Sequence, residues 1–142
     1  MLMRRIFIYM LAFTFSITPA WSDVMSGVFK TNPSEETGGY LHIAFSSCPD
    51  NSELSCGTIK TAIKKDGSKN MDYEHLGELM VWNMKAGTEG RYKGGKIWDP
   101  SENNEDGSKK IYNSKMELKG DILEVQGCIL FFCKGQDWQK VN

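Results

Sequence analysis

Apolar and polar residues alternate with a period of two along most of this chain. Leu41, Ile43 and Phe45 alternate with His42 and Ala44, which is the pattern of a strand with one buried face. The same alternation recurs over residues 59–64, 80–85, 112–119 and 123–128, and a weaker, aromatic version over 25–31, 91–98 and 136–141. The pattern therefore predicts an all-β protein of about eight short strands.

The segments between these predicted strands are short and carry turn residues such as Asp66-Gly67, Asp106-Gly107 and Gly120-Asp121. Short connections favour antiparallel neighbours, since a parallel crossover needs a dozen or more residues. We therefore expect an up-and-down β-barrel, with a two-sheet β-sandwich as the alternative. Residues 70–77 are interpreted as an irregular connection. Pro100 is expected to end a strand, with residues 99–110 forming a hairpin loop.

The N-terminus departs from this alternation. Arg4 and Arg5 precede twelve uncharged residues, 6–17, and small residues follow at Ala20 and Ser22. This layout predicts a cleaved signal peptide over residues 1–22, leaving one domain over 23–142. We expect a periplasmic protein with no membrane span after cleavage. Release from the cell and an uncleaved N-terminal anchor are the alternatives.

The charge of the predicted domain is weakly acidic. Removing Arg4 and Arg5 takes the formal charge from −1 to −3, so the chain has no electrostatic case for binding nucleic acid.

The four cysteines all lie in the predicted domain, at Cys48, Cys56, Cys128 and Cys133. An even number of cysteines in an exported chain implies disulfides, and four cysteines allow three pairings. We favour the two local pairs, Cys48–Cys56 and Cys128–Cys133, because each brackets a plausible turn. The intervening lengths of seven and four residues do not fit a four-thiolate zinc site well, so no metal is expected.

No catalytic or cofactor motif stands out in the sequence. We expect no enzymatic activity and no cofactor; an enzyme built around Asp99 and Tyr112 is the least favoured hypothesis. The best binding candidates are four aromatic residues that could line a pocket. They are Trp82, Trp98, Tyr112 and Trp138. A barrel of eight strands has room for one small ligand or for its own side chains, and the many apolar residues favour a filled interior.

Four short motifs occur in order along the chain. They are Cys48 with Cys56-Gly57-Thr58-Ile59, Gly94-Gly95-Lys96-Ile97-Trp98-Asp99-Pro100, Leu123-Glu124-Val125-Gln126-Gly127-Cys128, and Cys133 with Gln136-Asp137-Trp138-Gln139-Lys140-Val141. In these motifs the chain resembles, over about residues 25–141, the bacterial exported family named domain of unknown function 2147. That family has no established activity, so the resemblance assigns no role to any residue.

The architecture is also lipocalin-like in outline. Lipocalin-type barrels usually have Gly-x-Trp near the N-terminus and an Arg or Lys of the last strand over the Trp ring. In this chain Gly27-Val28-Phe29 and Lys140 stand at those two places. Phe is a poorer cation–π partner than Trp, so this ring-and-cation pair is weaker here. The likeness is an analogy between folds, and it therefore concerns shape and not ligand. The leading functional hypothesis is a soluble binding or accessory protein that takes a small apolar ligand or an envelope partner. The alternative is an envelope interaction module with a filled core and no ligand.

Overall fold

The structure is a computed structural model that describes residues 14–17 and 23–141, so the predicted signal peptide lies almost wholly outside the described residues. The eight strands of the described chain are β1 (Gly27–Lys30), β2 (Tyr40–Ser47), β3 (Ser55–Ile63), β4 (Leu79–Ala86), β5 (Arg91–Asn103), β6 (Lys109–Lys119), β7 (Ile122–Ile129) and β8 (Phe132–Lys140). Each strand pairs with the next, and β8 pairs with β1. The fold is a closed, antiparallel barrel, as the alternation predicted.

Cross-strand pairing aligns the apolar residues of neighbouring strands. Phe45 lies opposite Gly57 and Ile43 opposite Ile59, so the inward residues of β2 and β3 form continuous rows. Gly57 has no room for a side chain, because a β-carbon there would lie 2.8 Å from Ile43 Cγ2 and 3.0 Å from Phe45 Cε1. The side chains of β2 therefore fill the space that a side chain at Gly57 of β3 would need.

The barrel closes through a short contact between its first and last strands. Only Phe29 and Lys30 of β1 pair with β8, opposite Lys140 and Gln139. Phe29 is completely buried and meets the Phe45 ring edge-on at 5.8 Å. Because β8 begins at Phe132, most of this strand has no partner in β1. The β7–β8 hairpin therefore extends beyond the closure.

Pro100 does not end a strand, contrary to the expectation from the sequence. β5 runs through Pro100 to Asn103, and residues 104–108 alone form the loop to β6. Pro100 falls between Trp98 and Asn103, where the register with β6 shifts. A proline can occupy such a bulge because its missing N–H removes no ladder hydrogen bond there.

Both local disulfides, Cys48–Cys56 and Cys128–Cys133, are present, which confirms the predicted pairing. Disulfides are typical of proteins that fold in an oxidising environment. Within residues 14–17 and 23–141, no helix has the length and apolar character needed to cross a membrane.

Candidate functional site

The barrel interior is packed with its own side chains. Phe29, Ile43, Ile59 and Leu123 are completely buried, and Trp138 is 1% exposed. Leu123 and Trp138 lie opposite each other on β7 and β8, and the indole Nε1 of Trp138 donates a hydrogen bond to Gln136 Oε1 at 3.0 Å. Trp138 is thus held within the core beside the barrel closure.

The four aromatic residues predicted to bind a ligand lie in different environments. Trp98 and Trp138 are each 1% exposed, whereas Trp82 and Tyr112 are only partly buried against the core. Trp82 lies opposite Lys96 on β5, and the Tyr112 hydroxyl donates to Glu102 Oε2 at 2.9 Å. No cavity described below is lined by any of the four, so a binding role for them stays a prediction.

Trp98 is covered by the connection between β3 and β4. The His75 ring packs edge-on against Trp98 at 4.8 Å, and Lys109 Nζ lies 4.0 Å from the centre of the Trp98 ring. Glu78 links these two groups, with a hydrogen bond to His75 Nδ1 and a contact of 3.3 Å to Lys109 Nζ. We call His75, Glu78, Trp98 and Lys109 the Trp98 cluster. It fastens an irregular connection to the β5–β6 hairpin.

Ionisation in and near the Trp98 cluster follows from these contacts. Desolvation alone would raise the pKa of Glu78, but the hydrogen bonds from His75 and Lys109 outweigh it and lower that pKa. Burial, together with the charges of Glu74, Asp99 and Glu78, raises the pKa of the neighbouring Tyr73 to about 12. The Tyr73 hydroxyl therefore stays protonated, which does not suit a general base near neutral pH.

Two shallow surface grooves adjoin each other on the β1–β3 side of the barrel. The larger has a volume of about 310 Å³ and the smaller about 240 Å³, and they share Lys60, Thr61 and Lys69. His42 lines the larger groove, where burial first and then the charges of Lys30, Lys60 and Lys69 lower its pKa. The larger groove combines Val28 and Val141 with Lys60 and Lys69, so its lining is part apolar and part cationic.

The turn between β7 and β8 presents four consecutive large apolar side chains to solvent. Their exposed fractions are 54% for Ile129, 86% for Leu130, 100% for Phe131 and 84% for Phe132. The Cys128–Cys133 disulfide joins the two strands directly behind them. We call residues 129–132 the apolar tip. Contiguous exposed apolar residues of this size mark interaction sites in folded proteins.

The apolar tip also carries an unusual backbone conformation. Leu130 has a φ of 53°, in the left-handed region where Gly, Asn and Asp are the residues ordinarily found. Two-residue hairpin turns favour those same residues. Leu130 therefore occupies a turn position at which glycine would be less strained.

The apolar tip is not among the predicted sites, because the spacing of Cys128 and Cys133 indicates only a turn between them. The signal was nevertheless present, because the segment between Cys128 and Cys133 reads Ile-Leu-Phe-Phe and contains none of the usual turn residues.

Metal binding has no support from the described residues. Within 14–17 and 23–141, no group of three or more His, Cys, Asp or Glu side chains is placed to hold an ion. All four cysteine sulfurs are in disulfides.

The fold and surface together define a disulfide-containing, eight-stranded antiparallel barrel with a filled interior and an exposed apolar hairpin. Residues 27–140 match the profile of the family described as an uncharacterized protein conserved in bacteria, domain of unknown function 2147. The chain belongs to that family, as the sequence motifs indicated. Neither the curated proteins nor the solved structures gave a match to this chain.

Proposed function

We propose that this chain is an exported protein of the bacterial cell envelope that acts through its surface and not by holding a ligand inside the barrel. The observation that carries the proposal is the apolar tip, Ile129–Phe132, on a barrel whose interior side chains are buried. Folding gains little from Leu130, Phe131 and Phe132, whose side chains remain mostly in water. A surface that meets a partner gives them a role.

Export is supported by the predicted signal peptide over residues 1–22 and by both disulfides. Disulfides persist in the periplasm and outside the cell, and they are rare in a reducing cytoplasm. The filled interior favours the interaction module over the carrier of a small apolar ligand, which would need an apolar cavity.

A non-enzymatic role is part of the proposal. Asp99 accepts hydrogen bonds from the backbone N–H of Ser101 at 2.9 Å and from its hydroxyl at 2.6 Å. Tyr112 is bonded to Glu102. Each of these two candidate catalytic groups is thus engaged in a local contact, and neither lines one of the two grooves.

Fractionation and intact mass measurement of the chain expressed with its leader test this proposal. We expect it in the periplasmic fraction, with a mass that lacks residues 1–22 and two hydrogens for each disulfide. Native mass spectrometry of the same sample should show no added mass. Cytoplasmic location with reduced cysteines would contradict export, and a retained apolar molecule would instead support the ligand-binding hypothesis.

A further inference from the structure

The shape of the apolar tip limits what can cover it. The tip is the convex end of a hairpin, and most of β8 in that hairpin has no partner in β1. Beyond the disulfide, each strand adds one paired residue, Ile129 opposite Phe132, before the turn. At about 3.3 Å per residue, the turn reaches about 7 Å past the cysteines. This reach is similar to the depth of about 5–10 Å to which the apolar face of an amphipathic helix enters a membrane interface.

The charged residues behind the tip are arranged by the strand register. The row that contains the disulfide runs from Lys96 through Asn113 to Cys128 and Cys133. The next row back carries Lys134 opposite Gly127, and the row after that carries Lys115 opposite Gln126. Acidic residues first appear in these β5–β8 rows at Glu117, Glu124 and Asp137, which lie four residue pairs behind the disulfide.

Lys96 and Lys134 belong to adjacent rows of paired residues, and side chains of adjacent rows point to opposite faces of a sheet. The two lysines therefore project from opposite faces. One lysine on each face therefore stands where lipid headgroups would lie if the tip entered a bilayer. Lysine side chains can extend to phosphate groups while their methylene stems lie along apolar surface. The neighbouring β5–β6 hairpin runs at least as far as the tip, since β6 begins four residues beyond Asn113. It is net acidic, with Asp99, Glu102, Glu105 and Asp106 against Lys109 and Lys110, so electrostatic attraction to an anionic surface is small.

We propose that the apolar tip inserts into the interfacial region of a lipid bilayer, with Lys96 and Lys134 beside the headgroup phosphates. This inference rests on the proposed function, since an exported protein works next to membrane surfaces. A fluid bilayer accepts a convex apolar finger directly, whereas a protein partner would need a matching pocket. A second copy is less suited, because the free edge of β8 carries Lys134, and a lysine on an edge strand opposes strand pairing.

Flotation with lipid vesicles tests the inference. The mature chain, residues 23–142 with both disulfides intact, is mixed with vesicles of phosphatidylcholine or of phosphatidylcholine with phosphatidylglycerol. We expect binding to both, driven by the apolar side chains, with at most a small preference for phosphatidylglycerol that salt removes. Phe131→Ser should reduce partitioning about tenfold or more, given the apolar surface that is lost. Lys134→Gln should reduce only the advantage of the anionic vesicles.

Two further variants make the result specific. Met71→Ser removes an apolar side chain that is 76% exposed but lies in the β3–β4 connection, and it should leave partitioning unchanged. Leu130→Gly should weaken partitioning while the thermal midpoint rises or stays the same, because glycine relieves the positive φ. A loss of binding that accompanies a more stable fold excludes unfolding as the cause.

Three results would overturn the inference. The first is wild-type protein that floats with neither vesicle, and the second is a Met71→Ser variant that weakens flotation as much as Phe131→Ser does. Sedimentation equilibrium without lipid could also reveal a dimer that Phe131→Ser dissociates, which would assign the tip to a second copy. None of these results depends on where the protein is located, on its mass or on whether it retains a ligand. The proposed function is therefore tested separately, by fractionation and mass measurement.

Discussion

The two disulfides close turns of opposite character. Cys48 and Cys56 are 5% and 1% exposed, and polar residues form most of the loop between them. That loop is tied by backbone hydrogen bonds, including Cys48 N–H to the Leu54 carbonyl at 2.9 Å. The second disulfide, Cys128–Cys133, lies at a surface hairpin with Cys133 exposed, and the residues between its cysteines are apolar and exposed.

Folding accounts for the Cys48–Cys56 turn, whereas it does not account for the exposed apolar residues of the Cys128–Cys133 turn. At the first turn the sulfur atoms lie inside and the polar side chains outside, which is the arrangement that burial favours. Next to it, Ser55 is also buried, and its hydroxyl accepts a hydrogen bond from Met25 N–H at 2.8 Å. At the second turn the disulfide supports side chains that contact little of the protein, so its tip has the features of a presented surface.

The largest expected effect contrasts the base of the β7–β8 hairpin with its tip. Trp138→Ala should lower the free energy of unfolding by about 3–5 kcal/mol, because it empties a site in the packed core. Phe131→Ala should change it by no more than about 0.5 kcal/mol, as at other exposed positions. Urea unfolding of both variants beside wild type measures the contrast. Equal effects would mean that the tip packs against the barrel.

The next effect compares the two disulfides directly. The sequence separations are 8 and 5 residues, for which chain entropy gives about 2.5 and about 2 kcal/mol. Entropy alone therefore barely distinguishes them. Replacing both Cys48 and Cys56 by Ala should lower the free energy of unfolding by at least about 1 kcal/mol more than replacing both Cys128 and Cys133. The reason is that removing buried sulfur atoms also leaves a cavity.

Urea unfolding of the two double variants under identical conditions makes this comparison. A greater loss from the exposed disulfide would show that the apolar tip contributes to folding and would weaken the distinction between the two turns. Mapping of non-reduced peptides from wild type serves as the control, since both local cross-links should be recovered.

A smaller effect of opposite sign is expected at the tip. Leu130→Gly should raise the free energy of unfolding by about 0.5–1 kcal/mol, since the relief of a left-handed backbone exceeds the entropy that glycine adds to the unfolded chain. Glu89, at φ 56° in the turn between β4 and β5, offers the matched control. Glu89→Gly should stabilise the protein similarly. Destabilisation by Leu130→Gly alone would show that the Leu130 side chain packs on the fold.

The sequence predicted the barrel better than it predicted the candidate site, for a physical reason. Alternation such as Leu41, Ile43 and Phe45 reports which face is buried, and glycine-containing turns such as Gly120-Asp121 fix the antiparallel order. Pro100 was misplaced because a register shift, which is a property of two strands together, decides whether a proline is tolerated. Whether an apolar run such as Ile129–Phe132 is covered depends on strand lengths around the closure, and alternation within one strand contains no information about them.

The smallest effect concerns the Trp98 cluster, which holds a long connection without a disulfide. Because the pKa of Glu78 in the folded protein lies below its ordinary value of 4.5, its contribution to stability is present above that value. The contribution is lost as pH falls through the pKa of the folded state. Glu78 is 38% exposed, so water screens its contacts with His75 and Lys109, and we expect Glu78→Gln to cost less than about 1 kcal/mol at pH 7.

Urea unfolding of wild type and Glu78→Gln at pH 7 and at pH 3 checks this sign. The two proteins should differ at pH 7 and differ less at pH 3, because protonation of Glu78 makes it neutral like a glutamine. Glu36→Gln, at an exposed position in the turn before β2, is the control for loss of one surface carboxylate and should match wild type at both values. If the difference instead stayed unchanged at pH 3, the shape of the side chain and not its charge would hold the connection, and the Trp98 cluster would depend on packing and not on ionisation.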